Sequence, residues 1–124
     1  MDDDLKEIEE LLRTYFDGVH ENDIEKLGAV FDPCSHLFSV KDGELKDVSR
    51  DEWFELLRSR ESGKAQGLAR DDQVVTIDRS GPATALAKVR CQLPPRYFTD
   101  YLTLARLSGG WRIVSKTYHE ETRE

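Results

Sequence analysis

Residues 96–120, RYFTDYLTLARLSGGWRIVSKTYHE, dictate most of what this chain can become. From Tyr97 to Leu107 the side chains alternate, with Phe98, Asp100, Leu102 and Leu104 on one face and Tyr97, Thr99, Tyr101 and Thr103 on the other. Alternation of period two, rich in aromatic and β-branched residues, is the pattern of a strand. It resumes after Ser108-Gly109-Gly110, placing Trp111, Ile113, Ser115, Thr117 and His119 on one side and Arg112, Val114, Lys116 and Tyr118 on the other. Glycine permits the positive φ that a tight hairpin turn needs. Two short turns fit. Ser108-Gly109 pairs Asp100 with Thr117 and Phe98 with His119, whereas Gly109-Gly110 pairs Asp100 with His119. Either one predicts a single face holding Phe98, Asp100, Leu102, Leu104, Trp111, Ile113, Ser115, Thr117 and His119. A three-residue turn would bring Lys116 to the Asp100 face instead.

An otherwise apolar face thus carries Asp100. Burying a carboxylate is costly unless it is paired or protonated. Two readings follow: a strand-end Asp that meets water or a buried partner, or a pocket acid held in a shaped cavity. His119 is the natural partner in the second reading, because an unperturbed imidazole titrates at about 6.5. As a residue near the chain end, it also reads as a frayed surface histidine.

Upstream, residues 3–20 predict an amphipathic helix with Leu5, Ile8, Leu12, Tyr15 and Val19 on its apolar stripe and acids in its first turn. A buried Tyr15 hydroxyl needs a partner, either backbone or a ligand oxygen. Asn22-Asp23 caps a short helix over 23–31, with Ile24, Leu27 and Phe31 inward and Pro33 ending it. His36 to Val40 is a strand, turned at Asp42-Gly43, with Leu45 to Val48 returning. His36, Phe38 and Val40 share one face of it. Ser49 and Glu52 form a capping box for a third helix with Trp53, Leu56 and Leu57 buried. Residues 60–70 lack any period and read as a mobile loop or lid. Strands follow over 71–79 and 83–93, the second with Ala85, Ala87, Val89, Cys91 and Leu93 on one face. Cys91 reads as a small buried hydrophobe. The small Ala85 and Ala87 leave room opposite for a cavity. Pro94-Pro95 breaks the ladder and bends the chain into the last hairpin.

The order is three helices interrupted by a short hairpin, then four long antiparallel strands, which is an α+β plan in one domain over 1–124. With a net charge of −7 and no basic patch, nucleic acid is not expected as a partner. No segment approaches the roughly 20 apolar residues of a membrane span. The acidic opening is the opposite of a secretion signal, and the two cysteines are too few for a disulfide scaffold, so the expectation is a cytoplasmic protein with reduced thiols. No P-loop, GxGxxG or HExxH motif is present. Cys34 and His36 lack a second ligand pair, so neither a metal nor a cofactor is expected.

The helix run RTYFDGVHENDIEKL, the following VFDPCSHLF and the closing FTDYLTLARLSGGWRIVSKTYH resemble the nuclear transport factor 2-like superfamily over nearly the whole chain. Within it the chain looks most like small proteins labelled putative lumazine-binding, with a likeness to SnoaL-like cyclases and steroid isomerases. The resemblance implies a cone-shaped, curved antiparallel sheet wrapped around three N-terminal helices, and dimers joined sheet to sheet. Compared with steroid isomerases, the oxyanion tyrosine aligns with Tyr15. Their catalytic Asp falls near Ser39, which cannot act as that base. Their second acid falls near Leu102, two residues from Asp100.

Three functions are therefore expected to compete. The first is small-ligand binding between helix one and the sheet, with Tyr15, His36, Phe38, Trp53, Phe98, Asp100, Leu102, Ser115 and Thr117 as lining residues. The second is a cofactor-free lyase or isomerase in that pocket, with Asp100 and His119 as acid and base and Tyr15 stabilising negative charge. The third is a homodimerisation module without a ligand, joined through the outward face of Tyr97, Thr99, Tyr101, Val114 and Tyr118. A homodimer is expected in all three.

Overall fold

The apolar stripe at the N-terminus forms helix α1 (Asp3–Glu21), which buries Ile8, Leu11, Leu12, Tyr15 and Phe16 against the sheet and the second helix. The computed structural model describes residues 3–124. Asn22 turns the chain with φ +52°, and Asp23 then caps α2 (Ile24–Val30) by accepting from the Lys26 amide at 3.0 Å. Gly18 lets the two helices meet closely: a Cβ there would lie 2.7 Å from both Cγ and Cδ2 of the fully buried Leu27.

Helix α2 ends at Val30, before Pro33, and residues 31–35 already belong to β1 (Phe31–Lys41). A turn at Asp42-Gly43 leads to β2 (Glu44–Ser49). The expected capping box between Ser49 and Glu52 then starts α3 (Arg50–Arg58). On α3 the buried residues are Phe54 and Leu57, while Leu56 is exposed and Trp53 only half-buried. Phe54 turns inward beside Gly28 of α2. The long strands are β3 (Gln73–Ser80), β4 (Thr84–Leu93), β5 (Arg96–Leu107) and β6 (Gly110–Thr122). Pro94-Pro95, joined by a cis bond, forms the two-residue turn between β4 and β5.

The six strands form one curved, unclosed sheet in the order β2-β1-β6-β5-β4-β3. Four neighbour pairs are antiparallel, but β1 runs parallel to β6, so the sheet is mixed where an all-antiparallel one was expected. Helix α2 packs against both strands of this parallel pair. Helices lie on the inner face over a core of Ile8, Leu12, Phe31, Val89, Leu102 and Ile113, each fully buried. Each such side chain contributes about 1.5–3 kcal/mol relative to exposure.

One irregularity decides which residues face inward. The hairpin turns at Ser108-Gly109, and Leu104 pairs with Ile113 as that turn requires. The next pair, however, is Thr103 with Ser115. Val114 is an extra residue, a β-bulge, and it reverses the faces of everything beyond it. Asp100 therefore pairs with Tyr118, and His119 pairs with Thr99. Lys116 and Tyr118 turn inward, while Ser115, Thr117 and His119 turn outward. Ser35 stabilises this bend: it is fully buried and its Oγ lies 2.7 Å from the Ile113 carbonyl oxygen.

The outer face keeps Tyr97, Thr99 and Tyr101 of the expected dimer patch but loses Tyr118 to the interior. Among the described residues no helix is long and apolar enough to cross a membrane, and no group of three His, Cys, Asp or Glu could hold a metal.

Alanine at Gly18 gains about 1 kcal/mol in helix propensity but forces Leu27 aside in a packed core, an overpacking cost of about 1–3 kcal/mol. Gly18→Ala is expected to lower the urea midpoint. A raised midpoint would contradict the close α1–α2 contact.

Candidate functional site

A pocket of about 390 Å³ opens between the C-terminal end of α1, α3 with the loop after it, and the inner face of the sheet. That volume is within the usual range for small-molecule sites, roughly 300–1,000 Å³. Its walls include Trp53, Leu57, Leu37, Leu93, Phe98 and Tyr118, and Lys116 also reaches it. The loop after α3, expected to be mobile, is tied to α1 through the Lys64 amide donating to the His20 carbonyl at 2.9 Å. Its Arg60, Glu61, Gly63 and Gln66 close one side of the pocket. A second depression of about 450 Å³ lies at the rim of β3, β4 and β5 among Arg90, Gln92, Tyr97 and Arg123. Its wall holds no buried polar side chain, whereas the pocket under α3 reaches the buried Lys116, so the pocket under α3 is the candidate.

Behind the pocket lies a buried polar cluster. Tyr15 and Asp100 are both fully buried, and the Tyr15 hydroxyl donates to Asp100 Oδ2 at 2.5 Å. Cys91 Sγ lies 3.9 Å from the same oxygen. The Lys116 ammonium stands 3.9 Å from it as well, with the residue only 6 % exposed. Three rings surround that ammonium: Tyr118 at 4.9 Å, Trp53 at 5.0 Å and Tyr15 at 5.3 Å from Nζ to centroid. Aromatic faces stabilise a cation where water cannot reach it. The ion pair and the rings together offset the desolvation that a buried lysine would otherwise suffer. Asp100 Oδ1 is sealed from solvent and has no hydrogen-bond partner among the described residues.

Burial, and then the Asp100 charge, hold the Tyr15 phenol well above its ordinary range, so it stays a donor. Burial likewise pushes the Cys91 thiol from 9.0 up to about 12, making it a poor nucleophile at neutral pH.

The expected site residues separate accordingly. Trp53 and Phe98 line the pocket. Tyr15 and Asp100 come together but lie behind the wall, not in it, and Leu102 is fully buried in the core. His36 and Phe38 stack on each other at 6.1 Å on the outer face, and His36 Nδ1 meets Asp47 Oδ1 at 2.6 Å; their neighbour Leu37 is the one that turns into the pocket. Ser115 bonds Thr103 at 2.5 Å on the outer face, and Thr117 and His119 are exposed. The bulge at Val114 separates His119 from Asp100, so the expected acid–base pair does not form. The room expected opposite Ala85 and Ala87 is core; the opening lies at the Cys91 and Leu93 end of β4. Lys116 and Tyr118 were missed because strict alternation places them outside. The signal for Lys116 is its charge: the shifted alternative, which a three-residue turn would also have produced, puts it on the face of Asp100, diagonal to that carboxylate.

Similarity to known proteins follows from these features. The model of a family described as putative lumazine-binding matches residues 3–119. Aldolase FrzH from Cladobotryum sp is 26 % identical over 111 residues, covering 88 % of this chain and 85 % of that protein. A nuclear transport factor 2-like protein of unknown function from Shewanella baltica superposes with a TM-score of 0.85 at 23 % identity, covering 96 % of this chain and 94 % of that one. A ketosteroid isomerase-like protein from Erwinia carotovora atroseptica superposes at 0.75 with 14 % identity, covering 99 % and 100 %. At these identities the two structures show a shared fold.

Two outcomes test the cluster. Asp100→Ala leaves Lys116 without its counter-ion and is expected to cost about 3–5 kcal/mol in urea unfolding; a loss below about 1 kcal/mol would mean the pair contributes little. The second concerns alkali. Folding raises the pKa of Tyr15 and of Cys91, so their stabilisation is complete below the unfolded values and is lost as pH climbs towards the folded ones. Stability should therefore fall from about pH 9 upward, and Tyr15→Phe should flatten that fall above about pH 10 while lowering stability at neutral pH.

Proposed function

The chain belongs to the family described as putative lumazine-binding, within the nuclear transport factor 2-like superfamily, and from that premise we propose that it binds a small molecule in the pocket under α3. The observation that carries this reading is the pocket itself. About 390 Å³ is left open beside an otherwise filled core, with Trp53, Phe98 and Tyr118 in its walls and charged side chains, Lys116 among them, placed between the apolar ones. Aromatic and apolar walls with polar groups that can orient a bound molecule are the usual makeup of a ligand site. A pocket open at the surface also suits reversible binding.

Catalysis is the second reading. It is favoured by the likeness to an aldolase and by the Asp100 oxygen that lacks a partner. A lyase or isomerase needs a base within hydrogen-bond reach of the substrate. Asp100 is the acid nearest that role, but it is fully buried and already accepts from Tyr15. Glu61 and Glu120 are the acids in the pocket wall, and no histidine is among its lining residues. Binding therefore ranks first.

Trp53 reports on the pocket, since the other tryptophan, Trp111, is 1 % exposed in the core. Titration with lumazine and a panel of small bicyclic compounds is expected to give saturable quenching of Trp53 emission that Trp53→Phe abolishes. If no compound gives saturable quenching or a thermal shift, the binding reading fails. Chemical change of a bound compound, followed by its absorbance, would promote the second reading over the first.

A further inference from the structure

The pocket wall carries donors for which the protein supplies no acceptor. Lys116 offers three N–H groups. Asp100 Oδ2 lies 3.9 Å away, beyond hydrogen-bond distance, and already receives the Tyr15 hydroxyl at 2.5 Å. The three rings around the ammonium stabilise its charge but accept no ordinary hydrogen bond. Among the described residues no other acceptor meets Lys116 Nζ, and none meets the Tyr118 hydroxyl. Both residues line the same pocket, and both are there because the Val114 bulge turned them inward.

The charge of the lining points the same way. Lys46, Arg60, Arg96 and Lys116 face the pocket against Glu61 and Glu120, with Asp100 behind. The lining is therefore positive in a chain whose net charge is −7. Arg96 lies over the ring of Phe98, another lining residue, at 5.5 Å.

From this convergence we infer that the pocket takes a planar, largely apolar molecule bearing one anionic oxygen, and that Lys116 and Tyr118 are the residues that hold that oxygen. The inference rests on the ligand-binding reading above and adds the chemical class and the two contact residues. The apolar body lies against Trp53, Phe98 and Leu57 of the pocket wall. The oxygen reaches inward to the ammonium, which keeps its Asp100 neighbour on the far side and completes its hydrogen bonding with the ligand. A cationic ligand would meet like charges on entry and leave those donors unsatisfied. A neutral alcohol would accept from them but gain no charge attraction. Positive rim residues also raise the encounter rate for an anion.

The probes are 2-naphthoate, 2-naphthalenemethanol and 2-naphthylmethylamine, three molecules of one shape and different charge, titrated calorimetrically at neutral pH and moderate salt. The carboxylate is expected to bind at least about ten-fold more tightly than the alcohol, the worth of one charge-assisted hydrogen bond, with the amine weakest. Lys116→Met should erase that preference, Lys116→Arg should retain much of it, and Tyr118→Phe should reduce it several-fold while leaving the alcohol unchanged. Should Lys116→Met fail to fold because Asp100 is left unpaired, the ranking on the unaltered protein and the Tyr118→Phe result still decide. If the alcohol binds as well as the carboxylate and quenches Trp53, the anion assignment is overturned and the pocket reading survives. If none of the three binds, both fall.

Discussion

A single extra residue in β6 controls the interior of this protein. Up to Ile113 the last strand follows the register of its turn, and from Ser115 on it is shifted by one. Side chains in a strand alternate with period two, so a shift of one exchanges the two faces completely. Without the bulge at Val114, Ser115, Thr117 and His119 would point inward, and the pocket would be lined by hydroxyls and an imidazole. With it, the same strand delivers a lysine and a tyrosine. The position is held from the neighbouring strand, where the buried Ser35 hydroxyl reaches the Ile113 carbonyl beside the bulge. Residues 32–35 of β1 are themselves out of register with β6, so two irregularities face one another across the parallel pair.

The exchange creates an electrostatic problem and its solution together. Asp100 is fully buried and so is costly as a charge. Lys116, brought inward by the bulge, supplies the opposite charge, and Tyr15 on α1 supplies the hydrogen bond. The three groups come from the first helix and the two central strands, so the cluster ties α1 to the sheet at one point. Cys91 and the aromatic rings exclude water around it, which strengthens the remaining interactions. The cluster is thus first a structural device. Only Lys116 of its charged members reaches the pocket wall.

That distinction orders the functional readings. In the steroid isomerase comparison a tyrosine on the first helix stabilises negative charge on the substrate. Here Tyr15 spends its hydroxyl on Asp100 and lies behind the wall. The fold is shared with a ketosteroid isomerase-like protein, but a fold does not carry its chemistry with it. The pocket chemistry of this chain comes from a different strand position.

Much of the architecture was legible in the residues themselves. The stripe of α1 from Ile8 to Tyr15, the capping box of α3, the inward face of β4 and the hairpin turn are local patterns set by periodicity and backbone preference, and they recur in the structure where expected, whereas Leu5 stays exposed and Val19 half-buried. The apolar face that carries Asp100 was legible too, but its two readings stayed open, and that the carboxylate is buried and accepts from Tyr15 came only with the structure. Sequence alone could not place the bulge, because Val114 is an ordinary strand residue and the alternation continues unbroken on paper. Nor could it show that β1 runs parallel beside β6, since strand neighbours distant in sequence are chosen by how the whole sheet closes over the helices. The chain determined its elements, and the apolar strand face on which a carboxylate sits, by local pattern. Tertiary packing decided which residues share the pocket, because register is settled by contacts between strands, and those exist only once the sheet is assembled.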